Sequence, residues 1–121
     1  MAQDAPSNLS PLAYLGPAGT FTEQALFTQP DLAALDHFLA PSIFDVLRRV
    51  SAGEATLGFA AIENSIEGGV NITQDTLAFA VDLLIQREVV ISIQLNLMVA
   101  AGTTLADVDR VVSFPHAIAP C

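Results

Sequence analysis

Lysine is missing altogether from this 121-residue chain, whose basic residues are the four arginines Arg48, Arg49, Arg87 and Arg110. Within these residues, that absence excludes a phosphate-gripping P-loop lysine and a Schiff-base lysine. An anionic ligand here must be met by backbone N–H groups, hydroxyls, side-chain amides or those few arginines. A formal net charge of −9 argues against a nucleic-acid surface, which needs clustered positive charge, and reads as a solubility feature. Cysteine is almost as scarce: Cys121 is the single one, so the chain holds no disulfide framework and no cysteine-based metal site. That usage suits a reducing compartment. No apolar run approaches the ~20 residues that span a bilayer, and residues 1–10, MAQDAPSNLS, lack the layout of a secretory signal. These absences predict a cytoplasmic protein that engages neither membrane nor nucleic acid. What is plentiful is apolar material, 52% of the residues. It suffices for one core that buries roughly two-thirds of the unfolded surface, hence one domain or one domain plus part of another.

Residues 57–71, LGFAAIENSIEGGVN, organise the rest. A short apolar run over residues 57–62 predicts a strand covered on both faces. Glu63, Asn64 and Ser65 then change its character within one residue, Gly68 and Gly69 supply a turn, and a helical pattern begins. Strand, polar tip, glycine turn and helix start describe the carboxyl end of a strand in an α/β sheet, where such sheets bind small ligands. The plainer alternative is a βα loop whose polar residues only satisfy the turn.

Taken in order, residues 1–10 read as a disordered tail. Leu12 to Leu15 form a brief strand that runs into Gly16, Pro17, Ala18 and Gly19. Thr20 with Glu23 three residues later is a capping box, so a helix starts there, carries Ala25, Leu26 and Phe27 inward and stops before Pro30. The Gly16 to Gly19 cluster is either an anion cradle at that helix or a tight βα turn. His37 to Ala40 read as a second strand, with His37 structural. Ser42 caps a second helix with Ile43, Val46, Leu47 and Val50 on one side, Arg48 and Arg49 on the wet face, and Gly53 at its close. The third strand follows over residues 57–62. Val70, Ile72, Thr73, Leu77, Ala78, Val81 and Leu84 then mark one helix, with Asn71 as its cap or in its first turn. Strict alternation predicts a parallel sheet with right-handed crossovers.

The rhythm then breaks. Residues 88–100, EVVISIQLNLMVA, alternate with period two. A strand of ~12 residues at ~3.3 Å each extends ~40 Å, too long for a small lobe, so it reads as a connection into a second one. Thr103 and Thr104 cap a short turn, Val111 and Val112 form another short strand ended by Ser113, and Pro115 suits the first turn of a last helix. The organisation predicted is a tail over residues 1–10, a first α/β lobe over 11–90, and a crossover strand with the start of a second lobe over 91–121.

Three separated stretches carry a resemblance: AYLGPAGTFTEQAL (13–26), FAAIENSIEGGVN (59–71) and VVSFPHAIAPC (111–121). Together, in this order and spacing, they resemble the prephenate dehydratases over nearly the whole chain. The resemblance implies a two-lobed α/β catalytic domain similar to the type II periplasmic-binding-protein fold, with the active site between lobes. It implies conversion of prephenate to phenylpyruvate, water and carbon dioxide on the route to phenylalanine, in a homo-oligomer, with no metal and no cofactor. By position, Asn64 and Ser113 match polar residues the family sets around its substrate, and Glu63, Ser65, Asn71 and Thr20 match its motifs. Phe114 and His116 depart from the family's usual Ser-His-Pro-Gln stretch, and Pro120 stands where a glutamine usually does. The family's catalytic Thr-Arg-Phe motif is absent, so the catalytic residue is expected downstream of Cys121. The rest of the second lobe and the family's regulatory ACT domain are absent too. The chain therefore reads as an amino-terminal portion, inactive alone. The alternative of another class is a non-catalytic small-anion-binding module of the same two-lobed fold.

Overall fold

The structure, a computed structural model, describes residues 11–64, 68–113 and 115–118. The chain divides into two compact units, Met1–Ile91 and Ser92–Cys121.

The first unit is a mixed α/β layer built on a three-stranded parallel sheet. Its strands β1 (Leu12–Leu15), β2 (His37–Ala40) and β3 (Leu57–Phe59) stand in the order β2-β1-β3. Both pairings are in register from Leu12, which faces His37 on one side and Leu57 on the other. As the middle strand, β1 is covered on both faces, and period-two alternation sorts its side chains. Ala13 joins Ala40, Val46 and Ala55, with Val50 packed against them. Leu12 and Tyr14 point the other way, onto Leu26, Leu32, Leu35, Leu57 and Phe59. Burial of side chains such as Leu12 and Leu26 contributes about 1.5–3 kcal/mol each to holding the layers together.

Helix α1 (Phe21–Phe27) begins at Thr20, whose Oγ1 accepts from the Glu23 N–H at 3.2 Å. Pro30 does stop α1, yet it also opens a further short helix that the sequence reading missed, α2 (Pro30–Ala33), where a missing N–H at the first position costs nothing. Helix α3 (Ile43–Ser51) is capped by Ser42 Oγ, which accepts from Asp45 N–H at 3.0 Å, and ends before Gly53 at φ +78°. Its predicted wet face is in fact a cluster of charges: Arg48 and Arg49 both reach Asp45 and Glu54, and the Arg49 guanidinium lies 4.0 Å over the Phe38 ring.

Five expectations are corrected. The third strand ends at Phe59, and Glu63–Asn64 (β4) instead pairs antiparallel with Gly68–Gly69 (β5). The helix after Gly69 does not reach Leu84. It consists of α4 (Asn71–Asp75) and one π-helical turn (Thr76–Ala80), after which Val81 is extended. Of the stripe expected to pack, Thr73 is buried, but beside it stands Thr76 and not the apolar residues, since Ile72 and Leu84 are exposed. Residues 88–100 form no strand, because among the described residues no neighbouring strand supplies a ladder; Ile93, Leu95 and Leu97 stay about half exposed. Val111 and Val112 form none for the same reason. Within the second unit the regular elements are a 3-10 turn (Leu105–Asp107) and α5 (Pro115–Ile118). Thr104 starts the former, its N–H donating to the Asp107 carboxylate at 3.0 Å and drawing that acid below its ordinary range.

Candidate functional site at the carboxyl edge of the sheet

Strand order decides where a ligand can sit. From β1 the chain leaves to α1, which packs on the Leu12 and Tyr14 face; from the adjacent β3 it leaves to α4, which contacts α3, the helix that covers the Ala13 face. Neighbouring parallel strands whose following helices diverge to opposite faces leave a crevice at their carboxyl ends. The loop over residues 16–20 borders it from β1, and residues 60–64 border it from β3.

The second of these loops is held by α4. Thr73, 2% exposed, donates its hydroxyl to the Ala61 carbonyl at 2.6 Å, the Gln74 amide donates to the Ile62 carbonyl at 3.2 Å, and Val70 N–H donates to the same carbonyl at 2.8 Å. A side chain at Gly69 would run into that Gln74 amide. These bonds fix the carbonyls just ahead of Glu63 and Asn64, which are both exposed on β4 with their backbones paired to Gly69 and Gly68. Asn71 is the first residue of α4, exposed, and the cap position falls to Val70; of the two roles left open for it, the first turn is the one observed. Ser65 lies outside the described residues.

The loop after β1 is closed on itself. Gly16 N–H donates to Ala40 O at 3.0 Å, and Gly19 N–H donates to a Glu23 carboxylate oxygen at 2.9 Å. Gly19 sits at φ +94°, a left-handed turn that favours glycine. With two of its amides engaged within the protein, the loop has the closed form of a tight βα turn. Glu23's other oxygen accepts the Tyr14 hydroxyl at 2.6 Å, and these two bonds draw its pKa down. Burial, reinforced by that carboxylate, pushes the Tyr14 phenol up to about 12. His37 stands edge-on to Tyr14 at 5.5 Å between ring centres, its Nε2 3.0 Å from the Leu32 carbonyl, in the structural role expected of it.

The structure thus places Thr20 at the cap of α1 after β1, Glu63 and Asn64 on β4 of the separate two-stranded sheet that follows β3, and Asn71 at the start of α4. Ser113 belongs to the second unit, where it lines an open hollow of about 590 Å³ with Asn96, Asp107, Asp109 and Arg110. Phe114 and Pro120 lie outside the described residues, as does the side chain of His116. No group of three or more His, Cys, Asp or Glu side chains suited to a metal ion occurs among the described residues, and none of their helices is long and apolar enough to cross a membrane. Sequence reasoning placed Thr73 on the packing stripe but missed the bonds that Thr73 and Gln74 make to the preceding loop, whose only local signal is a polar pair in a first helical turn. It also missed Arg87, which reaches back to Gln29 and Asp31 and holds the Asp31 carboxyl down to about 2.

The family model described as prephenate dehydratase matches residues 12–121. A prephenate dehydratase of Mycolicibacterium vanbaalenii is 39% identical over 89% of this chain and 39% of its own length. A bifunctional chorismate mutase/prephenate dehydratase of Pseudomonas aeruginosa is 36% identical over 91% of this chain and 30% of its own. Among solved structures, the prephenate dehydratase of Streptococcus mutans superposes with a TM-score of 0.53 at 31% identity, over 59% of this chain and 36% of that one. That of Arthrobacter aurescens, in complex with L-Phe, gives 0.51 at 43% identity, over 57% and 22%. The chain therefore spans about two-fifths or less of the length of these relatives.

Proposed function

Because the chain belongs to the prephenate dehydratase family, we propose that it supplies part of the substrate cavity of an enzyme converting prephenate to phenylpyruvate. Such an enzyme is a carbon–oxygen lyase of phenylalanine biosynthesis. In this reading residues 11–90 are the first lobe of a type II periplasmic-binding-protein-like domain, and residues 91–121 lead into the second. The assembled protein works in the cytoplasm as a homo-oligomer.

The reaction has a simple balance. The ring carboxylate leaves as carbon dioxide, its bonding electrons aromatise the ring, and the C–O bond to the ring hydroxyl breaks toward oxygen, which takes up one proton and departs as water. No oxidant or reductant enters. Aromatisation supplies driving force, so the protein's task is to orient two carboxylates and to assist a poor leaving group by hydrogen bonding or proton donation. Hydroxyls and amides at strand ends suit the first task. Asn64 and Ser113 hold the substrate in this reading, and Thr20, Ser65 and Asn71 belong with them by their match to the family's motifs. Glu63 either donates a proton or fixes the loop, and the group acting on the leaving hydroxyl is supplied from beyond Cys121.

The observation that carries this reading is the placement of Glu63 and Asn64 just after β3, at the edge where the helices following β1 and β3 diverge. The test is phenylpyruvate formation from prephenate by the full-length protein, with none from the 121-residue chain alone. Full-length protein that binds prephenate and releases it unchanged would instead be the small-anion-binding module.

A further inference from the structure

We propose that Thr73 and Gln74 are positioning residues for Asn64: by holding the Ala61 and Ile62 carbonyls they fix the pose in which the tip that follows presents its amide to the substrate. The proposal deepens the functional reading above and rests on it.

Residues 60–62 run between the end of β3 at Phe59 and the start of β4 at Glu63, and belong to neither sheet. Backbone outside a ladder needs other partners. Here they come from further along the chain. Thr73 Oγ1 donates to Ala61 O at 2.6 Å and Gln74 Nε2 to Ile62 O at 3.2 Å, each across twelve residues, and Val70 N–H reaches the latter carbonyl at 2.8 Å. A threonine inside a helix commonly turns its hydroxyl to solvent or to a carbonyl of the preceding turn. Thr73 instead gives it to the loop, from a position 2% exposed. Thr76, in the π-helical turn that follows, is buried as well, and both segments contact α3, so the bonds issue from a seated element.

The consequence falls on Asn64. It stands two residues beyond Ile62, on a strand of two residues whose ladder to Gly68 and Gly69 is too short to fix its own place. Its position is therefore inherited from the two held carbonyls. An amide that orients a substrate loses much of its effect when it is displaced by about 1 Å, which gives these remote bonds a kinetic consequence. Neither Thr73 nor Gln74 touches the substrate in this scheme; both act through Asn64. Gly69 belongs to the same device. A Cβ there would run into the Gln74 amide and push it off the Ile62 carbonyl, so glycine at this position keeps the bond possible.

The test uses the full-length protein with prephenate as the probe, and amide exchange at Val70, whose acceptor is the Ile62 carbonyl, as a readout that needs no ligand. Thr73→Val replaces the buried donor by a methyl. Val70 exchange then speeds up about tenfold or more, and kcat/KM falls about tenfold with the fold intact by circular dichroism. Thr73→Ser keeps the hydroxyl and restores both readouts to within about threefold. Gln74→Ala moves both in the same direction, and Gly69→Ala adds no more than about twofold to it, because the two changes remove one bond. The deciding arm is the Asn64→Ala background. There Thr73→Val lowers kcat/KM by no more than about twofold, since a residue that acts through Asn64 has nothing left to position. Should Thr73→Val fail to fold, Gln74→Ala, at an exposed position, takes its place in that background. Unchanged Val70 exchange, no rescue by serine, or the full loss repeated in the Asn64→Ala background would each overturn the proposal. Wild-type protein that does not turn over prephenate, with Val70 still released by Thr73→Val, would overturn the enzymatic reading and the positioning role with it, while leaving the brace of the loop intact.

Discussion

Tyr14 is the only tyrosine in a chain without tryptophan, so its phenol can be titrated by near-ultraviolet absorbance with no competing signal. Burial first, and the Glu23 carboxylate second, push it up to about 12 from 10.0. A raised phenol pKa means the folded chain holds a proton that the unfolded chain has already lost. Its contribution to stability is therefore complete below pH 10 and disappears as pH rises toward about 12. The titration midpoint should lie near that upper value, and Tyr14→Phe should flatten the stability loss across this window; a midpoint at 10 would contradict the buried bond. Gly58 offers a second test. A Cβ there would meet Val46 Cγ1 and Val50 Cγ2 at 3.1 Å each, so Gly58→Val should press α3 off the sheet. The expected loss is about 1–3 kcal/mol, read from the shift of the urea midpoint. At this scale the sequence was legible where partners are close in number, as with Thr20 accepting from Glu23 N–H, although the Glu23 carboxylate takes the Gly19 N–H and does not complete the box on Thr20. Tyr14 meeting Glu23 across nine residues, or Arg87 meeting Asp31 across fifty-six, leaves no pattern in one chain, because tertiary folding alone brings them together.

Elements were predictable to the extent that local chemistry sets them. His37–Ala40 and the helix opening at Ile43 are found where β-favouring residues and a serine cap place them, and Gly53 closes that helix as expected. The cap is testable in isolation: Ser42→Ala removes the acceptor for Asp45 N–H and should cost about 1 kcal/mol in chemical denaturation, with glycine costing less. The Arg48–Glu54 pair at the end of that helix is solvent-exposed, and screening it with salt should change stability little. Prediction failed where packing overrides periodicity. The run from Val70 to Leu84 carries a helical stripe of mostly apolar residues, yet the buried positions are Thr73 on α4 and Thr76 at the start of the π-turn, with Thr73 bonding the Ala61 carbonyl. Helix then gives way to one π-turn and stops at Ala80. The parallel sheet was recoverable from alternation of strand and helix; the β4–β5 pairing was not, because two-residue strands carry no period.

At the level of the whole molecule, residues 88–100 separate pattern from structure. Their alternation of Ile, Leu, Ser, Gln and Asn is that of a strand, but a strand exists only against a partner, and no other strand among the described residues is bonded to them. Amide exchange across the 121-residue chain should therefore show residues 89–100 close to unprotected while Leu12–Leu15 and His37–Ala40 exchange slowly. Protection of residues 89–100 equal to that of β1 would mean a ladder absent from this fold. Function was legible at this scale through three motifs whose order and spacing resemble one family, and the family match over residues 12–121 agrees with them. The most direct measurement is prephenate turnover by full-length protein carrying Asn64→Ala. Loss of a substrate-orienting amide at the sheet edge predicts that kcat/KM falls about a hundredfold or more, with the fold intact by circular dichroism. Turnover within about twofold of wild type would remove Asn64, and the crevice beyond β3 with it, from the chemistry.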